Sequence, residues 1–92
     1  MGRVPRLSQH FVNDCHALAP TGFPAARDVS RVVRALLSAE SLPAPDDTRA
    51  LLALPGSQVQ VFCYGRRVPG RGLWVWYRPT LSEVKLEALT AS

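Results

Sequence analysis

The chain has 92 residues, 47% of them hydrophobic, with 11 Lys and Arg against 7 Asp and Glu for a formal charge of +4. That length holds one small domain with a modest core, and that apolar content is at odds with intrinsic disorder. No apolar run approaches the ~20 residues that span a bilayer, and Ser8-Gln9-His10 falls where a secretory leader needs its apolar stretch, so the expectation is a cytoplasmic protein without a membrane role.

Proline and glycine divide the chain into segments. Residues 1–6 read as a flexible basic arm, followed by a single α+β domain over 7–92. Residues 8–18 predict a short helix, with Ser8 as N-cap and Phe11, Val12, Cys15 and Leu18 on one apolar stripe. Residues 24–40 give the clearest helical pattern. Pro24 suits the first turn, and Val29, Val32, Val33, Leu36 and Leu37 recur at helical spacing. Arg27, Arg31 and Arg34 form a stripe on the opposite face.

After the stiff Ser41-Leu42-Pro43-Ala44-Pro45 linker, Asp46 and Asp47 suit the first turn of a third short helix running to about Leu54 and stopped by Pro55-Gly56. A long β-hairpin is expected next, with strands at about 57–64 and 73–78, because β-branched and aromatic residues alternate there with period two. On this reading Val59, Val61, Cys63, Leu73 and Val75 face the core. Phe62, Tyr64, Trp74 and Trp76 share the other face with Arg78. Residues 65–72 form a turn-rich loop carrying Arg66, Arg67 and Arg71 at its tip. The last segment opens Thr80-Leu81-Ser82-Glu83, a capping-box pattern that predicts a short C-terminal helix, with a strand through Val84 and Leu86 as the alternative.

The expected fold is therefore two or three N-terminal helices, a hairpin and a short C-terminal helix. This element order resembles that of a winged helix, whose hairpin lies along the nucleic-acid backbone or enters the minor groove. No helix-turn-helix motif accompanies it, and Asp46 and Asp47 would repel phosphates at the start of the third helix.

Two functions follow. In the first, Arg66, Arg67, Arg71 and Arg78, joined by Arg27, Arg31 and Arg34, bind nucleic acid, DNA in the winged-helix reading, in a regulatory or accessory role. In the second, Phe62, Tyr64, Trp74 and Trp76 bind a protein partner, as an inhibitor or accessory subunit would, since Trp, Tyr and Arg dominate protein hot spots. The same aromatic face offers a route to a homodimer.

Enzymatic chemistry has less support. His10 and His16 are the chain's two histidines, the side chain most used for general acid–base chemistry, which leaves a small ribonuclease-like activity as a third option. Cys15 and His16 are adjacent on a helix and diverge by about 100°. His10, Cys15, His16 and Cys63 lack the spacing of a metal site. No phosphate-binding glycine loop or nucleophile elbow is present, so no cofactor is implied. Cys15 and Cys63 are read as free thiols.

Overall fold

The computed structural model describes residues 2–53 and 58–91. In chain order they form β1 (Val4–Leu7), α1 (Gln9–Leu18), α2 (Pro24–Ser38), β2 (Thr48–Ala53), β3 (Gln60–Val68), β4 (Leu73–Pro79) and β5 (Glu83–Ala91). The strands make one sheet in the order β1-β5-β4-β3-β2, with β1 parallel to β5 and every other pair antiparallel. The α+β class is as expected, but the winged-helix-like order is not. The domain is two helices on a five-stranded mixed sheet.

The two N-terminal helices lie where the apolar spacing puts them. Ser8 caps α1 by accepting the Phe11 N–H at 3.0 Å, and its own hydroxyl donates to the Glu87 carbonyl at 2.8 Å, so one side chain starts the helix and ties it to β5. In α2, Pro24 occupies the first turn, and Val29, Val32 and Leu36 are buried. Each of those side chains contributes roughly 1.5–3 kcal/mol by leaving water.

Three expected elements change type. The third helix is instead β2. Asp47 does not meet a helix N-terminus; it closes a turn in which its carboxylate accepts the Ala44 N–H, and the chain then pairs with β3 from Thr48↔Gly65 to Ala53↔Gln60. The helix propensity of Ala50, Leu51 and Leu52 amounts to tenths of a kcal/mol per residue and yields to the ladder. The expected stop at Leu54, Pro55 and Gly56 lies outside the described residues, as does Ser57 at the expected start of the hairpin.

The C-terminal helix is instead β5, inserted between β1 and β4. The capping residues act as a turn. Thr80 Oγ1 accepts the Glu83 N–H at 2.9 Å, and the Thr80 N–H donates to the Glu83 carbonyl at 2.8 Å, closing the β4–β5 connection. Leu81 is 97% exposed at this turn. Val4–Leu7, the first three of which lie in the expected flexible arm, instead form β1 at the sheet edge.

The hairpin is longer than expected and its faces are redistributed. β3 continues through Arg66 and Arg67 to Val68, leaving Pro69-Gly70-Arg71-Gly72 as the turn, where Gly70 and Gly72 adopt φ of 73° and 63°. The register is Val68↔Leu73, Arg66↔Val75 and Tyr64↔Tyr77. Even-numbered residues of β3 therefore share a face with odd-numbered residues of β4. Val61 and Cys63 lie on the side of Trp74 and Trp76, and Phe62 and Tyr64 on the side of Val75 and Tyr77. Residues directly opposite each other in a ladder share a face, so any turn of even length sets even positions of β3 beside odd positions of β4.

The core is a single layer. Phe11, Ala19, Val29, Val32 and Leu36 from the helices pack on Val68, Leu73, Val75, Tyr77, Val84, Leu86 and Leu89 from the sheet. Both helices contribute to this layer, so they lie on one side of the sheet, and no described helix crosses the other side. A β-bulge in β5 places Glu87 and Ala88 together opposite Trp76. Asp14 of α1 accepts the Leu89 N–H at 3.0 Å next to the bulge. No described helix is long and apolar enough to cross a membrane.

Candidate nucleic-acid interface

The helix-free face of the sheet carries a stacked aromatic ladder. Trp74 and Trp76 are two residues apart on β4 and project from the same side, with ring centroids 5.8 Å apart and planes inclined by 21°. Gly65 lies directly across the ladder from Trp76, and the indole lies flat over it. A Cβ on Gly65 would come within 2.5 Å of the indole ring, so only glycine permits this approach. The Trp76 Nε1–H donates to Thr90 Oγ1 at 2.8 Å, fixing the ring. Arg67 is the cross-strand neighbour of Trp74, with its guanidinium carbon 5.0 Å from the ring centroid. Both indoles stay half-buried, which leaves ring surface open to solvent.

Beyond Trp76 the same face turns polar. Arg78 donates to Glu87, whose side chain is almost fully buried, and Lys85 lies 3.9 Å from the other carboxylate oxygen. Two half-exposed cations thus cover one buried carboxylate and leave a net positive surface. Arg6 on β1 meets Glu83 at 3.5 Å beside them. Cys63 lies beneath this face with no exposure. Burial, together with the charge of Glu87, pushes its thiol up to about 11. At neutral pH it is an inert thiol rather than a nucleophile.

The three arginines expected at the hairpin tip do not form a cluster. Arg66 projects to the helix side and makes a two-point ion pair with Asp47, at 2.9 and 3.0 Å, while the Tyr77 hydroxyl donates to the same carboxylate. Burial alone would raise the Asp47 pKa, but the hydrogen bonds from Arg66, Tyr77 and the Ala44 N–H outweigh it and hold the carboxyl below its ordinary value. Burial and the Asp47 charge push the Tyr77 hydroxyl upward. Arg66 thus serves the fold. Arg71, in the turn, pairs with Asp28 of α2 at 2.7 Å, and this hydrogen bond is the main cause of a lowered Asp28 pKa. Arg67 alone reaches the open face.

The α2 stripe lies beside the hairpin. Arg27, Arg31 and Arg71 line one depression at the start of α2, and Arg31, Arg66 and Arg67 line the groove between α2 and β3. Arg67 therefore joins the helix-side arginines to the tryptophan ladder around the end of the hairpin. Arg34 lies further along α2, at the rim of an apolar groove that includes Phe11, Cys15 and Val33.

Phe62 and Tyr64 do not join Trp74 and Trp76. Phe62 is 60% exposed on the opposite face beneath Arg49, whose guanidinium carbon is 5.6 Å from its ring. Tyr64 leans on Tyr77 at 6.0 Å. The single aromatic surface expected for a protein partner is thus divided between two faces. His10 and His16 lie on α1, on the helix side of the sheet. Among the described residues no group of His, Cys, Asp or Glu is placed to hold a metal.

Arg6, Arg49, Gly65 and Lys85 also shape these surfaces, and no local sequence signal marks them. Gly65 falls in the expected loop, and its partnership with Trp76 exists only in the observed register. Arg6 and Lys85 fall in the expected arm and the expected C-terminal helix, both of which are strands.

Fold and face together define a small α+β domain with a helical layer on one side of its sheet and a basic, tryptophan-bearing surface on the other. Comparison with protein-family models, with curated proteins and with solved structures finds no match to the chain.

Proposed function

We propose that the domain binds nucleic acid, and single strands in particular, on the helix-free face of its sheet. The observation that carries this reading is the Arg67–Trp74–Trp76 ladder, which no described helix covers. Unpaired bases have free π-faces, and stacking on an aromatic ring contributes about 1–3 kcal/mol per base without regard to sequence. Trp74 is the stacking partner, since Trp76 is fixed by Gly65 and Thr90. Arg67, Arg78 and Lys85 neutralise phosphates along the face. Arg27, Arg31 and Arg71 extend the positive surface around the hairpin. A protein partner is less favoured because Phe62 and Tyr64 point away from the tryptophans.

Both tryptophans of the chain lie on this face, so intrinsic fluorescence reports its occupancy. Single-stranded RNA and DNA oligonucleotides should quench the emission, and more strongly than a duplex of equal length. The quenching should weaken steeply as salt rises, because counterion release drives phosphate binding. Absence of any binding at ~50 mM salt, where the electrostatic contribution is greatest, overturns the proposal.

A further inference from the structure

Where β4 ends, Arg49, Phe62 and Tyr64 from the helix side of β2 and β3 line a cleft of about 370 Å³ with Pro79 and with Arg78, which belongs to the tryptophan side. That is within the range of small-ligand sites. Arg49 and Tyr64 face each other across the β2–β3 ladder, and Phe62 is the next residue on the same side of β3. The guanidinium of Arg49 lies over the Phe62 ring and meets no carboxylate among the described residues. Phe62 keeps 60% of its surface in solvent, an unusual exposure for a phenyl ring in a regular strand. The Tyr64 hydroxyl has no described hydrogen-bond partner, and Arg78 uses Nε for Glu87, leaving its two terminal nitrogens without one. The cleft thus combines an open aromatic ring, two cations with donors to spare and a free phenol.

We infer that this cleft holds a nucleoside monophosphate group, with the base against Phe62 and the phosphate between Arg49 and Arg78. A flat ring suits the phenyl face, and a phosphate takes several charge-assisted hydrogen bonds from guanidinium groups. The group has two sources. It is either a free nucleotide or the phosphorylated end of a strand on the sheet face, which Arg78 adjoins because it follows Trp76 by two residues on β4. The strand-end source rests on the function proposed above, and the free-nucleotide source does not.

The test uses the full chain and fluorescence anisotropy of labelled single-stranded oligonucleotides carrying a 5′-phosphate, a 3′-phosphate or hydroxyls at both ends. Adenosine and uridine monophosphates, with the corresponding nucleosides, are titrated in parallel. A terminal phosphate should raise affinity roughly tenfold at ~0.1 M salt, or the monophosphates should bind where the nucleosides do not. Arg49→Ala should abolish that gain and leave hydroxyl-ended oligonucleotides unaffected. Arg49→Lys should restore part of it, and a melting curve of each variant establishes that it is folded. Gain from neither a terminal phosphate nor a free monophosphate overturns the inference, as does a gain that survives Arg49→Ala. Hydroxyl-ended strands that bind without any phosphate gain would leave the sheet-face reading standing and remove this one. Monophosphates that bind when no oligonucleotide does would do the reverse.

Discussion

The guanidinium of Arg67 lies 5.0 Å from the centre of the Trp74 ring, across the β3–β4 ladder on the side of the sheet away from both helices. Arg67 is the only member of the expected arginine tip that points this way. Trp74→Ala should weaken single-strand binding by about 1–3 kcal/mol, and Arg67→Ala by about 1 kcal/mol with a shallower salt dependence. Oligonucleotide titrations at two or more salt concentrations check both. Equal salt slopes for wild type and Arg67→Ala would remove Arg67 from the phosphate contacts.

Gly65→Ala should disturb the face without adding or removing charge. The new methyl would meet the Trp76 indole at 2.5 Å, so the ring must leave Gly65 and its hydrogen bond to Thr90. Overpacking of this kind costs about 1–3 kcal/mol. Denaturant unfolding should show the loss, and the near-ultraviolet dichroism of the stacked tryptophans should change with it.

Asp47→Ala should be among the most damaging single substitutions. It leaves Arg66 partly buried without its partner, frees the Ala44 N–H and removes the acceptor of the Tyr77 hydroxyl. Breaking a buried pair on one side costs about 3–5 kcal/mol, and the partial exposure of Arg66 places the expectation at the lower end. The Asp47 carboxyl is held below its ordinary value of 3.8 in the folded chain. Its contribution is therefore fully present above that value and lost as pH falls below it. Thermal melts between pH 6 and pH 2 should show a fall in wild type that is smaller in Asp47→Asn.

The alkaline limit has the opposite sign. Burial raises the Cys63 thiol from 9.0 to about 11, and Tyr77 is also raised above its ordinary 10.0. The unfolded chain releases these protons first, so stability should hold up to pH ~9 and decline above it. Cys63→Ala should remove the part of the decline that begins near pH 9. In the native protein at neutral pH, Cys63 should resist thiol reagents while partly exposed Cys15 reacts.

Asp28→Ala provides a contrast to Asp47→Ala. Asp28 pairs with Arg71 at 2.7 Å and Arg31 at 3.5 Å, both near the surface. Losing such solvent-screened pairs should leave the melting temperature nearly unchanged. It also removes the one carboxylate within the arginine group at the start of α2, so affinity for nucleic acid should rise at low salt. An unchanged affinity would place that group outside the binding surface.

By itself the sequence determined the elements whose signals are local. Ser8 and Pro24 begin α1 and α2, and Val29, Val32 and Leu36 fall at helical spacing on a buried face. Period-two alternation marks β3 and β4. It could not decide β2 and β5, because Ala50-Leu51-Leu52 and Leu86-Glu87-Ala88-Leu89 satisfy helical preferences worth only tenths of a kcal/mol per residue. Those segments become strands through hydrogen bonds to partners distant in the chain. The site was legible as a list of residue types and not as an arrangement. In a hairpin with an even-residue turn, Phe62 falls on the side of Tyr77 and not of Trp74, and the four-residue turn, by carrying β3 on to Val68, sends Arg66 to Asp47 and sets Gly65 beneath Trp76. Which arginine meets which ring depends on strand pairing, and the tertiary structure decided it.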